Sequence, residues 1–173
     1  MTTATHPSTA EVWDWLGHVP DPEIPVISIT ELGIVRDVAW DGDTLVVKVT
    51  PTYSGCPATA IINLDIETAL RARGVEKVRL VRQIAPAWTT DWIRPDAREK
   101  LRAYGIAPPI DGTAADGRLA GRVERMAGSN RAVACPRCGS VHTSRVSQFG
   151  STPCKASWRC DDCLEPFDYF KCI

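Results

Sequence analysis

The sequence lacks several features that would assign it to a common class of protein. Its 20 basic and 21 acidic side chains nearly balance, so no excess of positive charge indicates binding to nucleic acid or to an anionic membrane. No apolar run approaches the roughly 20 residues of a membrane span. Residues 1–10 are polar and lack the basic and apolar regions of a secretory signal. We therefore expect a cytoplasmic protein that binds neither nucleic acid nor a membrane.

Two common kinds of active site are also missing from the sequence. It has only three histidines and no Glu-x-x-His pair, which diiron sites in helical bundles use. It also lacks the G-x-G-x-x-G pattern of a dinucleotide-binding loop. Seven cysteines are present, and in a reducing compartment they indicate metal-binding or reactive sites before disulfides.

Local patterns predict three helices. The spacing Ser8-x-x-Glu11 is typical of a capping box and predicts a helix from Thr9 to His18. Apolar periodicity predicts the longest helix over Pro57–Arg73, and a proline start with a glycine end predicts a short one over Pro95–Tyr104.

Three strands are predicted around the longest helix. Ile34–Trp40 and Thr44–Thr50 flank an Asp-Gly-Asp turn and should form a hairpin. Lys77–Ile84 follows the helix, so strand, helix and strand should form a right-handed crossover onto one sheet. The sequence thus predicts a small α/β (α+β) fold with about three strands, followed by a zinc ribbon. We expect domains at 1–106 and 133–173, joined by a linker at 107–132.

The predicted linker is rich in glycine, alanine and aspartate and contains four arginines. A solvated tether is the favoured interpretation, and a contact surface for an acidic partner is the alternative. The arginines are Arg118, Arg122, Arg125 and Arg131.

Four cysteines near the C-terminus have the spacing of a zinc ribbon. Two C-x-x-C pairs are separated by 21 residues, and each pair can offer two thiolates to a tetrahedral ion. The predicted ligands are Cys135, Cys138, Cys160 and Cys163. A redox dithiol pair or an iron–sulfur site is the alternative. Residues 133–173 hold five basic and four acidic side chains, so we expect a protein-contact ribbon and no nucleic-acid binding.

Three further cysteines lie outside this quartet. Cys154 and Cys172 each neighbour a lysine, and a buried role, a second metal-ligand pair and a disulfide all stay open for them. Cys56 precedes the longest helix, where free backbone amides and the helix dipole stabilise a thiolate. It is a candidate nucleophile or metal ligand, with a plain capping role as the alternative.

Polar residues accompany Cys56. Thr50 and Thr52 can donate hydroxyl hydrogen bonds near it, and Gly55 lets the backbone approach a bound group. The rigid turn Asp21-Pro-Glu23 adds two carboxylates, which are either surface groups or part of the same site.

These segments carry a resemblance to known families. Asp21-Pro-Glu-Ile-Pro25 with Thr50-x-Thr52-x-x-Gly55-Cys56-Pro57 resembles the domain shared by SufT and the cytosolic iron–sulfur targeting proteins. With the ribbon and its tail, from Phe149-Gly-Ser-Thr to Asp168-Tyr-Phe-Lys-Cys172, the chain is similar to the PaaD family of phenylacetate degradation.

The resemblance implies an accessory or maturation role for the phenylacetyl-CoA epoxidase, a multicomponent oxygenase, and no epoxidation by this chain. It implies partners among the epoxidase subunits, especially the iron–sulfur reductase, and a transient iron–sulfur cluster or iron at Cys56. It carries the acidic turn onto Asp21 and Glu23 and the threonines onto Thr50 and Thr52. A structural, non-catalytic subunit is the alternative, and a homodimer sharing a cluster between two Cys56 residues stays open.

Overall fold

The computed structural model describes residues 6–110 and 133–171. Its contacts divide the chain into two compact units, residues 1–88 and residues 89–173. Each unit is described separately below. In the described part of the chain, no helix combines the length and the apolar character needed to cross a membrane.

The first unit begins with helix α1, Thr9–Leu16. The predicted capping box is present: the Ser8 hydroxyl accepts a hydrogen bond from the Glu11 backbone N–H, and the Glu11 carboxylate accepts one from the Ser8 N–H at 2.8 Å. The Ser8 hydroxyl also donates to the Glu11 carboxylate at 2.8 Å, and this bond, followed by the one from the Ser8 N–H, holds the pKa of Glu11 below its ordinary value. The helix buries Val12 and Leu16 completely.

The sheet of the first unit has the predicted crossover. Strands β1 (Val35–Asp41) and β2 (Thr44–Val49) form an antiparallel hairpin, and β3 (Val78–Arg82) pairs with β2 in parallel. Their order is β1-β2-β3. Helix α2 (Ala58–Arg71) makes the crossover from β2 to β3.

Helix α2 packs its predicted apolar face into the core. Ile62, Ile66 and Leu70 repeat at helical spacing and are buried, the last two completely. Alternate residues of β2 are buried as well, namely Leu45, Val47 and Val49. Burying each such side chain contributes about 1.5–3 kcal/mol. Because this burial holds the helix in place, it also holds the end of the loop that leads into α2.

The second unit starts before the ribbon. Helix α3 spans Pro95–Tyr104 as predicted, and Gly105 ends it in the left-handed conformation with a φ of 95°. Strand β4, Ile106–Ala107, then pairs in parallel with the last strand of the ribbon. The remaining strands are β5 (Thr143–Ser147), β6 (Lys155–Cys160) and β7 (Pro166–Phe170), and the sheet order is β4-β7-β6-β5.

This pairing differs from the predicted organisation. The predicted first domain covers residues 1–106, whereas contacts place Thr89 onward in the second unit. The guanidinium of Arg98 helps to hold this segment by donating to the carbonyl of Thr90 at 2.7 Å and to that of Pro109 at 2.6 Å. The predicted linker residues 111–132, with their four arginines, lie outside the described residues, and the domain bounds stay a prediction.

Candidate functional site

The two C-x-x-C pairs of the ribbon form similar turns. In the first, the Gly139 N–H donates to the Cys135 carbonyl at 2.9 Å, and Gly139 has a φ of 77°. In the second, Leu164 takes the place of that glycine and has a φ of 63°. Only glycine adopts this region without cost, so the second turn carries a local strain that the first does not.

The sulfur atoms of these turns converge. All four Sγ atoms lie within 4.8 Å of one another. The sulfurs of Cys135 and Cys163 are 3.8 Å apart, and those of Cys138 and Cys160 are 3.6 Å apart. A disulfide needs about 2.05 Å, so these contacts are not disulfides.

The four-cysteine cluster fits a zinc ion. Zinc binds thiolates at about 2.3 Å in a tetrahedron, which places the sulfurs about 3.8 Å apart. The contacts across the cluster match this spacing. Cys135 and Cys160 are buried and their partners exposed, so one side of the cluster is embedded in the fold. Zinc held here by four protein ligands would have a structural rather than a catalytic coordination shell.

The thiols of the cluster titrate unequally. The pKa of Cys160 is lowered to about 7, first because the Cys163 backbone N–H donates to its sulfur. The Glu165 N–H lowers the pKa of Cys163, but burial and the neighbouring thiols outweigh it and raise that pKa to about 12. Four close thiols resist full ionisation by themselves, and a cation at their centre reverses this preference.

An apolar core lies beside the cluster. Cys135 and Cys160 pack with Trp158, Phe167 and other buried residues, and Tyr169 meets the Trp158 ring edge-on at 6.1 Å between centroids. This core is small, and a metal ion commonly supplies the missing stability in domains of such size. His142 is exposed and lies outside the cluster, with its Nδ1 3.4 Å from the Asp162 carboxylate.

Cys154 lies in a different environment. It is buried just before β6, and its sulfur is 3.0 Å from the Thr152 hydroxyl. Cys172 lies outside the described residues, so a metal-ligand pair and a disulfide stay open alternatives for these two thiols. Nearby, the buried Lys155 ammonium is 3.5 Å from the Asp168 carboxylate. This ion pair lies beneath Gly150, where an added Cβ would come 2.8 Å from an Asp168 oxygen.

Cys56 lies on the loop between β2 and α2. Pro57 holds the N-cap position of α2, so Cys56 comes one residue earlier and is half-buried. Its N–H donates to the Tyr53 carbonyl at 3.2 Å, and its carbonyl accepts from the Thr59 N–H at 3.2 Å. These bonds form a turn that leads directly into the first turn of the helix.

The polar residues predicted to accompany Cys56 have distinct environments. Thr50 is 1% exposed, and its hydroxyl has no hydrogen-bond partner among the residues that the structure describes. Thr52 is also buried. An added Cβ at Gly55 would approach only the Tyr53 ring, at 4.0 Å, which is an ordinary contact. The fold therefore leaves open space at Gly55.

The acidic turn has a clear local role. Asp21 is buried, and its Oδ1 accepts the N–H groups of Glu23 and Ile24, both at 2.9 Å. Glu23 is half-buried. The carboxylate of Asp21 thus builds the turn itself, and the predicted action of Asp21 and Glu23 at Cys56 stays a prediction.

One residue near the Cys56 turn was missed in the sequence. Arg82 at the end of β3 donates to the Ser54 carbonyl at 2.6 Å. No local sequence pattern indicates this residue. Its place depends on the parallel pairing of β2 with β3, which sets Arg82 opposite Val49 at the edge where the loop leaves the sheet.

Cys56 and the four-cysteine cluster lie in segments that match two different family models. Residues 9–81 match a family model described as an iron–sulfur cluster assembly protein, and residues 120–171 match one described as the PaaD zinc beta ribbon domain. The fold and the four-cysteine cluster therefore define a class of protein with an assembly-type α/β domain and a zinc ribbon.

The chain belongs to the PaaD family. It is 51% identical over 173 residues to a protein of Escherichia coli (strain K12), covering 100% of this chain and 98% of that one. The Escherichia coli protein is named as one of the subunits of a "Putative 1,2-phenylacetyl-CoA epoxidase".

Two solved structures resemble part of the chain more distantly. One is a domain of unknown function, DUF59, from Bacillus anthracis, with 27% identity, 53% of this chain and 89% of that chain covered, and a TM-score of 0.49. The other is a conserved hypothetical protein from Thermotoga maritima, with 29% identity, coverage of 57% and 98%, and a TM-score of 0.49.

Proposed function

We propose that this chain is an accessory protein that assists assembly of the iron–sulfur or iron centre of a phenylacetyl-CoA epoxidase. The main supporting observation is that the cysteines occupy two different environments. Four cysteines converge on one another, while Cys56 lies separately at the start of α2, within the segment that matches the iron–sulfur assembly family.

In this proposal the cluster residues Cys135, Cys138, Cys160 and Cys163 hold zinc. The ion keeps the ribbon folded and takes no part in chemistry, since four cysteines complete its tetrahedron. The ribbon then serves as a surface for a partner protein. The epoxidase subunits are the proposed partners because the Escherichia coli relative is named as one of them.

Cys56 is the proposed attachment point for iron or a transient cluster. Its position on a half-buried loop one residue before the α2 N-cap supports this assignment, because a bound species could reach the thiol there. The buried Thr50 hydroxyl, at the strand end from which the loop departs, is a polar group that a bound species would satisfy. Open space at Gly55 leaves room for that species.

The test compares wild-type protein with Cys56→Ser, each co-expressed with the epoxidase reductase and purified without oxygen. We expect equal zinc in both, and a several-fold lower content of iron and acid-labile sulfide in the reductase made with the variant. Ser54→Ala is the matched control, because it alters an exposed side chain of the same turn and keeps the cysteine. Normal cluster content in the reductase beside Cys56→Ser would refute the proposal.

A second candidate is a structural, non-catalytic subunit, which the name of the Escherichia coli relative favours. It predicts that the chain co-purifies at fixed ratio with the oxygenase subunits and that Cys56→Ser changes neither that ratio nor the epoxidation rate. Sedimentation of the purified chain tests the further proposal of a homodimer.

A further inference from the structure

We propose that Arg82 is a positioning residue for Cys56: it holds the turn that carries the thiol and places a positive charge beside it. This inference rests on the proposed function, because it concerns the same site. It starts from the register of the sheet. Val49 and Arg82 are the last paired residues of β2 and β3, so both strands end at the same edge.

The contact at this edge is specific. The loop to α2 leaves from Val49, and the Arg82 guanidinium donates to the carbonyl of Ser54, within the loop, at 2.6 Å. The next residue, Gln83, donates its N–H to the Val49 carbonyl at 2.8 Å and so continues the pairing. The end of β3 therefore holds the loop at its base and again near its tip.

The held carbonyl belongs to the turn that presents Cys56. Ser54 lies between Tyr53 and Cys56, whose carbonyl and N–H close the turn at 3.2 Å. A charged donor on a backbone carbonyl makes a stronger bond than a neutral one. Arg82 thus restrains the turn from the end of β3, and its guanidinium contacts the residue two positions before Cys56.

A matched residue on the same strand provides the control. Arg79 pairs with the Asp41 carboxylate at 2.6 Å, at a position of β3 that pairs with Val46, three residues before the end of β2. Arg79→Gln and Arg82→Gln remove the same charge from the same strand. Only the second removes the donor to Ser54.

The experiment measures alkylation of Cys56 by two reagents, with peptide mass spectrometry to report this cysteine alone. Iodoacetate is anionic and iodoacetamide is neutral, and both need the same access to the sulfur. A loosened turn changes both rates together, whereas a lost positive charge lowers their ratio. The ratio therefore separates the charge from a merely structural effect.

We expect the iodoacetate-to-iodoacetamide ratio to fall about two- to fivefold in Arg82→Gln, the size typical of an exposed charge. Arg82→Lys should keep the ratio near wild type, and Arg79→Gln should leave it unchanged. In about 1 M salt the difference should vanish, because the screening length shrinks to about 3 Å. Amide exchange of residues 53–58 should also quicken in Arg82→Gln.

Two results would overturn the inference. One is a wild-type ratio and wild-type exchange in Arg82→Gln, and the other is an equal fall of the ratio in Arg79→Gln. Neither result bears on the proposed function, which stands or falls with reductase loading in Cys56→Ser. If Cys56→Ser loads the reductase normally, the alkylation ratio still reports whether Arg82 acts on the thiol.

Discussion

Cys160 and Cys56 occupy opposite kinds of environment. Cys160 lies at the end of a central strand, 0% exposed, with three other sulfurs around it and a buried core beside it. Cys56 lies on a loop, half-buried, beside a glycine with open space. A cysteine enclosed by protein ligands suits a permanent ion, whereas a cysteine beside open space suits a species that comes and goes.

The largest expected loss of stability follows disruption of the four-cysteine cluster. Removing zinc with a chelator, or changing Cys160→Ser, should unfold the ribbon, because structural zinc contributes on the order of 10 kcal/mol in small zinc domains. Cys56→Ser should melt like the wild type. Metal analysis with near-ultraviolet circular dichroism measures both. A ribbon that keeps its aromatic signal with no metal bound would contradict the structural role of zinc.

Alanine substitutions at two glycines compare the space around the second unit's ion pair with the space beside Cys56. An added methyl group at Gly150 would meet Asp168 at 2.8 Å and the Lys155 side chain at 3.2 Å, so Gly150→Ala should destabilise the second unit by about 1–3 kcal/mol. Gly55→Ala should change stability by less than about 0.5 kcal/mol. Denaturant unfolding tests both variants. A large loss of stability in Gly55→Ala would mean that the fold, and no bound group, needs that glycine.

Smaller effects than at Gly150 are expected in the two C-x-x-C turns of the cluster. Gly139→Ala should cost about 1–2 kcal/mol, because the left-handed conformation that glycine adopts freely is strained for alanine. Leu164→Gly should release the corresponding strain in the second turn, less the extra entropy of glycine, for a net gain below about 1 kcal/mol. Unfolding of the zinc-loaded protein measures the pair. A loss of stability in Leu164→Gly would show that this turn is relaxed, because only the entropy cost of glycine would then remain.

Local signals predicted most of the fold. The capping box at Ser8, the end of α3 at Gly105 and each of the two C-x-x-C turns depend on residues a few positions apart. Strand β4 was not predicted, since its two residues carry no periodicity and its partner, β7, lies about 60 residues further along the chain. The placement of Thr89 onward in the second unit depends on the same kind of long-range contact, and the predicted domain bounds stay a prediction.

The candidate site was predicted in part. Cys56 lies before α2 as predicted. Asp21 was predicted either as a surface carboxylate or as part of the site, and the structure shows that it is buried and that its carboxylate caps its own turn. Arg82 could not be predicted because its contact with Ser54 depends on strand pairing across 28 residues. Contacts of this kind follow from tertiary structure and leave no local pattern.

Strand β4 has one further consequence. Ala107, at its end, and Val133, where the described chain resumes, are both buried in the core that contains Trp158. Both ends of the interval between them are thus anchored in the same packed layer. A protease cut made between these two anchors should yield fragments that elute together under native conditions and separate in denaturant.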